Sequence, residues 1–248
     1  MRYSTTLTLT GNTTDFTTSF HHPIRLDPMW EHEAAFLSLE TYNSIPNITH
    51  TNNVFKYSTD NGKTWKIITL PEDAYEYVQI ENEIQRQMVS RGDYNEENKS
   101  FYIDFTICRL SSVIEIRNPN YVIDFNIDNS IGSTLGFGNE ILSYGTHKSP
   151  NIVDINRVNT ILVNVDFIEG GYVNKTISAS IHNFSPKVGP GYKIIEKPSP
   201  ELIFYRVSKH FIPDVRIWLT DQNSNLIDLQ GERITVRILI RSFWKGKC

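Results

Sequence analysis

The residue types that carry chemistry are all present in this sequence, but their spacing assembles no reaction. Glu31-His32-Glu33 has the composition of a metal cluster. A helical zinc site needs a second histidine four residues on, so that both imidazoles share a helix face, and that position holds Phe36. His21-His22 stands beside Pro23 in an expected loop, and neighbours on an extended chain point to opposite faces, so the pair reads as surface histidines. Gly136-Phe137-Gly138 lacks the third glycine and the following helix of a dinucleotide loop. Gly170-Gly171-Tyr172-Val173-Asn174-Lys175-Thr176 ends like a phosphate loop, but it has no first glycine at the required distance and reads as a turn between two strands. No Gly-x-Ser-x-Gly elbow occurs. Asp104, Glu115 and Asp124 lie in strand-like runs, and sequence alone does not bring any two of them to one cleft. The expectation is a protein that is not an enzyme, with no catalytic, cofactor-binding or metal-binding residues.

Composition says what scaffold would position such residues. Among 248 residues Ile occurs 30 times and Thr 21 times, while Ala occurs 4 times. Branching at Cβ restricts rotamers on a helix and suits a pleated sheet, so the class is mostly β. Hydrophobic residues make up 39% of the chain, enough to bury a core. A formal net charge of −4 argues against coating nucleic acid by phosphate neutralisation. No run of 18 apolar residues is present, so no helical membrane span is expected. The Thr-rich start has no apolar core of a secretory signal, and two cysteines, Cys108 and Cys248, build neither a disulfide framework nor a zinc cage. Cys108, in an apolar run, reads as a buried inert thiol, and a reducing intracellular compartment fits best. Five Asn-x-Ser/Thr sequons, at Asn12, Asn47, Asn98, Asn174 and Asn183, keep open a rival of another class, a secreted carbohydrate-binding β-sandwich lectin.

Eight threonines in the first twenty-two residues, with Thr5-Leu7-Leu9 alternating, predict an N-terminal arm over 1–22: a strand at 4–10, then a flexible polar stretch. Strands are predicted over 34–41, 54–57 and 65–70, the last two joined by Asp60-Asn61-Gly62-Lys63, because Asn-Gly supplies the positive φ angles of a type I′ turn. Ile80, Ile84 and Met88 make the apolar stripe of one helix over 79–91, with Gly92 at its C-cap, covering a sheet edge or barrel mouth. Residues 93–99 read as a solvated acidic loop. Further strands are predicted over 101–107, 113–116, 121–125, 160–168, 176–184, 202–205, 215–219 and 234–240. Residues 130–138, with three glycines, break the strand pattern, and the Pro-rich 185–200 reads as a long connection. Trp65 and Trp218 lie within predicted strands and are expected to pack in the core. The whole describes an antiparallel β-sandwich with one covering helix, a domain over 23–243 with a weak boundary near 145–150, and a tail over 244–248.

Four stretches carry a family resemblance. They are Phe55-Lys56-Tyr57-Ser58-Thr59-Asp60-Asn61-Gly62-Lys63-Thr64-Trp65, Ser130-Ile131-Gly132-Ser133-Thr134-Leu135-Gly136-Phe137, Pro190-Gly191-Tyr192-Lys193-Ile194-Ile195-Glu196-Lys197-Pro198 and Asp228-Leu229-Gln230-Gly231-Glu232-Arg233-Ile234-Thr235-Val236-Arg237. In this order they resemble the jelly-roll capsid proteins of Polinton (Maverick) elements and adintovirus-like viruses, from about Pro23 to Phe243. The resemblance implies a sandwich of viral jelly-roll type that self-assembles with other capsid proteins, has its place in the virion and is assembled inside the host cell. Two eight-stranded sandwiches scarcely fit this length, which favours the penton-type minor capsid protein as a homopentamer over a trimeric, hexon-like major component. About thirteen candidate strands exceed the eight of one jelly roll, so a compact double-β arrangement stays open. Arg241, Lys245 and Lys247 near the end would give at most a weak, salt-sensitive contact with packaged DNA, and no membrane is implicated.

Overall fold

Alternation builds the first half of the architecture. In the strand Ile234–Trp244, residues Ile234, Val236, Ile238 and Ile240 are buried while Arg237 is exposed; in Phe211–Thr220, Val215, Ile217 and Leu219 point inward and Arg216 outward. A strand with one apolar face must lay that face on another sheet. The computed structural model describes residues 2–244 except 96–99, 102, 109–112, 119–120, 154, 156–157, 170, 174 and 199. The chain divides into two units, Met1–Ile45 with Val158–Cys248, and Pro46–Arg157.

The first unit is the sandwich. Its eight principal strands in chain order are Arg2–Gly11, Asp15–Arg25, Trp30–Tyr42, Ile161–Val165, Ser180–Phe184, Lys193–Glu196, Phe211–Thr220 and Ile234–Trp244. Counted in that order, one antiparallel sheet runs one–eight–three–six and the other two–seven–four–five. Each sheet draws strands from both ends of the unit, which is the jelly-roll winding. Short strands Tyr205–Val207 and Ile168–Glu169 extend the first sheet. Between the sheets lies one apolar core, to which Leu7, Leu9, Phe36, Leu39, Val163, Phe167, Ile217 and Ile238 belong.

The arm expected over 1–22 is therefore not loose where it is described, from Arg2 on. Arg2–Gly11 pairs along its whole length with Ile234–Trp244, from Arg2↔Phe243 to Gly11↔Ile234, and Asp15–Arg25 pairs with Phe211–Thr220. The stretch after Gly11 looks polar because Asp15–Arg25 edges its sheet and buries only part of one side. The 185–200 connection contains a strand, because in Lys193–Glu196 Ile194 turns to the core while Ile195 stays exposed. The tail is shorter than expected at its start, since Trp244 is the last strand residue; Lys245, Lys247 and Cys248 lie outside the described residues.

The second unit, Pro46–Arg157, is inserted between the third and fourth sandwich strands, and the observed breaks fall there rather than near 145–150. This accounts for the surplus strands. A four-stranded sheet contains Val54–Ser58, Lys66–Thr69, Val122–Asp124 and Ile141–Leu142; a three-stranded one contains Asp104–Cys108, Val113–Asn118 and Gly145–Lys148. The helix, Tyr77–Ser90, belongs here and not to the jelly roll. Ile80, Ile84 and Met88 enter a core with Phe55, Tyr57, Ile68 and Leu70. Gln79 Oε1 accepts the Glu76 backbone N–H at 2.6 Å at its start. At its end Gly92, with φ +76°, lets the next amide, of Asp93, donate to the Met88 carbonyl at 3.0 Å. The Asn61-Gly62 turn forms as expected, with φ of +60° and +84°.

Candidate functional site

The histidine between two glutamates is built into the scaffold. His32 is buried; its Nε2 donates to the Asp27 carbonyl at 2.8 Å, which leaves Nδ1 to accept from the Ser242 hydroxyl at 2.7 Å. Strand alternation turns Glu33 to the other face, where its carboxylate receives Arg241 Nε at 2.8 Å and an Arg241 terminal nitrogen at 2.6 Å. His21 and His22 are both exposed, on the strand Asp15–Arg25 rather than in a loop. Among the described residues, no group of three or more His, Cys, Asp or Glu is placed to hold a metal ion.

The glycine segments serve packing. Ser130 Oγ caps a short 3₁₀ turn, Ile131–Ser133, by accepting the Gly132 amide at 3.1 Å. Gly136 has φ +83°, and a Cβ there would sit 2.4 Å from the Asn151 carbonyl oxygen. The Gly170–Thr176 segment turns between Gly171–Val173 and Thr176–Ser178, a hairpin as the spacing predicted; Gly170 and Asn174 lie outside the described residues.

The carboxylates are dispersed. Asp124 accepts Lys56 Nζ at 2.7 Å; Glu115 is exposed on its strand; the side chains of Asp104 and Cys108 lie outside the described residues. Asp93, expected in a solvated loop, is buried. It accepts the Tyr57 hydroxyl at 2.6 Å and Lys66 Nζ at 2.6 and 2.7 Å. Burial, and then the Asp93 carboxylate beside it, hold the Tyr57 phenol above its usual pKa of 10.0. The group is an anchor: both carboxylate oxygens are spoken for and the phenol is inside the core. Sequence reasoning missed it because its members are separated by 27 and 36 positions in the chain.

Nor are the tryptophans in the core. Trp65 and Trp218 are half-buried, with Lys56 Nζ 4.6 Å from one ring centroid and the Arg216 guanidinium 4.9 Å from the other. Strand period places Trp218 outward, since Ile217 and Leu219 face in. It helps line a groove of about 310 Å³ with Asn164, Thr220 and residues of the 171–178 hairpin. The Asn164 amide is committed to the Trp218 carbonyl and to Thr220 Oγ1, each at 3.1 Å. One face of each of these two rings already carries a cation, so neither is a free platform for a sugar.

What remains is exposed surface at the end and flanks of the sandwich. At one end of the sandwich Tyr3, Trp30 and Trp244 form an aromatic row, with centroids 5.5 and 5.8 Å apart. Arg241 lies over Phe204 beside it. One flank of the sandwich is formed by the edge strands Arg2–Gly11 and Asp15–Arg25. Residues 4–10 of the first carry no charge and no proline. The opposite flank is formed by Ser180–Phe184 and Lys193–Glu196, tied across the two sheets by His182 Nε2 and Glu196 Oε1 at 3.0 Å, together with the 171–178 hairpin. There Tyr172, Ile177, Tyr192 and Ile195 are all exposed, from 57% to 74%.

No family model matches the sequence, and no curated protein matches it. Among solved structures the chain is similar to the selenomethionine-labelled penton protein of mavirus, with a TM-score of 0.52 and 11% identity. The superposition covers 97% of this chain and 100% of that one. At this identity the likeness is one of fold, and the expected fold class holds: this chain is a mostly β, jelly-roll sandwich with an inserted unit, and it shares its fold along nearly its whole length with a viral penton protein.

Proposed function

We propose that the chain is a capsid structural protein of a virus or a virus-derived mobile element, and that it occupies the five-fold vertices as a penton-type homopentamer. The observation that carries this reading is the fold shared with a mavirus penton protein over 97% of the chain. The winding supports the minor over the major component: Pro46–Arg157 is inserted between the third and fourth sandwich strands, and its described strands do not repeat the eight-stranded winding of the first unit. Its work is mechanical. A rigid β body presents two flanks and an aromatic end to neighbouring subunits, and ionisable groups are spent on internal ion pairs such as Arg241–Glu33 and Lys193–Glu40. In this reading the partners are its own copies and other capsid proteins, the protein resides in the virion after assembly inside the host cell, and contact with DNA is weak.

The test is co-expression of the chain with the major capsid protein of the same element, followed by cryo-electron microscopy of the particles with an antibody fragment against this chain. Fragment density at the five-fold vertices is the expected result. Density on the hexagonal facets would assign the hexon-like role instead, and particles that close without the chain and never bind it would end the capsid reading.

A further inference from the structure

Asn-Gly is the dipeptide in which a backbone amide most readily attacks the preceding side chain, because glycine has no Cβ to hinder the approach. The glycine nitrogen gives up its proton and bonds to the asparagine Cγ, and ammonia leaves. Water then opens the five-membered succinimide at one of its two carbonyls, which yields aspartate or isoaspartate. Water is the only co-reactant. The chain holds this dipeptide once, at Asn61-Gly62, in the connection between the strands Val54–Ser58 and Lys66–Thr69.

The fold treats the two reacting groups in opposite ways. The electrophile is open: Asn61 is exposed, and its side-chain amide has no hydrogen-bond partner among the described residues. The nucleophile is held. The Gly62 N–H donates to Ser58 Oγ at 2.8 Å, and Ser58 is fully buried. That hydroxyl is itself fixed, because it donates to Asp60 Oδ1 at 2.8 Å. Asp60 is pinned in turn by the amide and the hydroxyl of Thr64, each at 2.7 Å. Trp65 stands beside the glycine, where a Cβ would lie 3.5 Å from its ring atom Cζ2. Attack on Asn61 must therefore break the bond to Ser58 and turn the Gly62 amide out of a conformation fixed at φ +84°. It must also place negative charge on a nitrogen one hydroxyl away from the Asp60 carboxylate, and a like charge opposes that.

We propose that Asn61 is a conformation-gated deamidation site, stable while the 54–69 hairpin is closed and converted to aspartate or isoaspartate once it opens. Conversion runs one way. Aspartate adds a second carboxylate next to Asp60, and isoaspartate lengthens the backbone by one carbon just before the Gly62 amide, which displaces that amide from Ser58. The turn that guarded the site then no longer closes in its old register, so each lasting opening leaves a covalent mark. The inference concerns the inserted unit alone and stands apart from the capsid reading.

The experiment incubates the full chain, its Ser58→Ala and Thr64→Val variants and a synthetic peptide of residues 57–65 at mildly alkaline pH. Mass spectrometry after digestion at acidic pH follows the Asn61 segment, with aspartate and isoaspartate forms separated by chromatography. The parent should convert far more slowly than the peptide. Ser58→Ala should convert about tenfold faster than the parent, the upper end of what one such hydrogen bond is worth. Thr64→Val, which loosens Asp60 but keeps the Gly62 donor on Ser58, should accelerate conversion less. A further readout needs no variant and covers a Ser58→Ala chain that fails to fold. In urea below the unfolding transition, conversion in the parent should rise in proportion to hydrogen exchange at the Gly62 amide. A parent that converts as fast as the peptide, a folded Ser58→Ala chain no faster than the parent, or a conversion rate indifferent to Gly62 exchange would each overturn the proposal.

Discussion

The Lys66 ammonium lies 2.6 and 2.7 Å from the two carboxylate oxygens of Asp93, joining a strand of the inserted unit to the chain just past its helix. With Tyr57 as third member, this buried group fixes where the helix ends. Asp93→Ala leaves the Tyr57 hydroxyl and the Lys66 charge without their acceptor; Lys66 is partly exposed and can turn to water, so the loss is about 1–3 kcal/mol. Tyr57→Phe removes one hydrogen bond and keeps the pair, for about 1 kcal/mol. Urea unfolding of the two variants should show this ranking, and equal losses would mean that the ion pair is not what anchors the helix.

The same phenol sets a limit at high pH. Burial raises the Tyr57 and Tyr77 hydroxyls above 10.0, their ordinary value, so the unfolded chain ionises first. Their contribution to stability is complete below that value and is lost as pH rises toward the folded pKa. Absorbance at 295 nm should show two phenols that titrate only when the protein unfolds, and Tyr57→Phe should remove one of them.

Asp60 behaves in the opposite sense. Its carboxylate accepts the Thr64 amide and hydroxyl, each at 2.7 Å, and these bonds hold its pKa near 2 against an ordinary 3.8. A depressed carboxyl stabilises the turn above its unfolded pKa and ceases to do so as pH falls through its folded one. The Thr64 amide resonance should therefore titrate with a midpoint of about 2. A midpoint at the ordinary value would show that the hairpin forms without this cap.

Gly136 is the least replaceable of the glycines in the 130–138 segment. At φ +83° a side chain brings backbone strain of about 1–3 kcal/mol, and its Cβ would meet the Asn151 carbonyl at 2.4 Å. Gly138 has negative space to spare, with nothing within 4 Å. Gly136→Ala should lower the melting temperature sharply and Gly138→Ala hardly at all.

These contrasts show which interactions a sequence displays. The helix was legible because Ile80, Ile84 and Met88 repeat within four residues of each other, and the Asn61-Gly62 turn because its φ angles are a property of two residues. Trp218 was misread although the information was local: Ile217 and Leu219 face inward, so a strand must turn the residue between them out. The division of strands was not local at all. Val54–Ser58 and Ile161–Val165 look alike as apolar runs, and only their partners, Lys66–Thr69 in one case and Phe211–Thr220 in the other, assign them to different units. Nothing in Ser4–Thr10 announces that its partner is the last strand of the chain, more than two hundred residues on.

That pairing reverses what a Thr-rich terminus suggests about truncation. Deleting residues 2–11 withdraws Leu7 and Leu9 from the core, each worth about 1.5–3 kcal/mol, and strips the ladder from one side of Ile234–Trp244. The truncated chain should lose its cooperative thermal transition, whereas a free arm would leave the melting temperature unchanged.

The inserted unit makes the complementary case. Pro46–Arg157 has its own apolar core, from Ile48 through Leu142, and no residue of that core belongs to the sandwich cluster. The strands on either side of it, Trp30–Tyr42 and Ile161–Val165, draw their ladder partners from the first unit alone. Replacing residues 46–157 with a flexible Gly/Ser linker of about 15 residues keeps the cost of closing the loop small, since closure entropy grows only logarithmically with length. The excised chain should remain a β protein by circular dichroism and unfold in one cooperative step. Residues 46–157 expressed alone should fold with the helix intact. A sandwich that collapses on excision would show that the two cores, separate in their contacts, are one in stability.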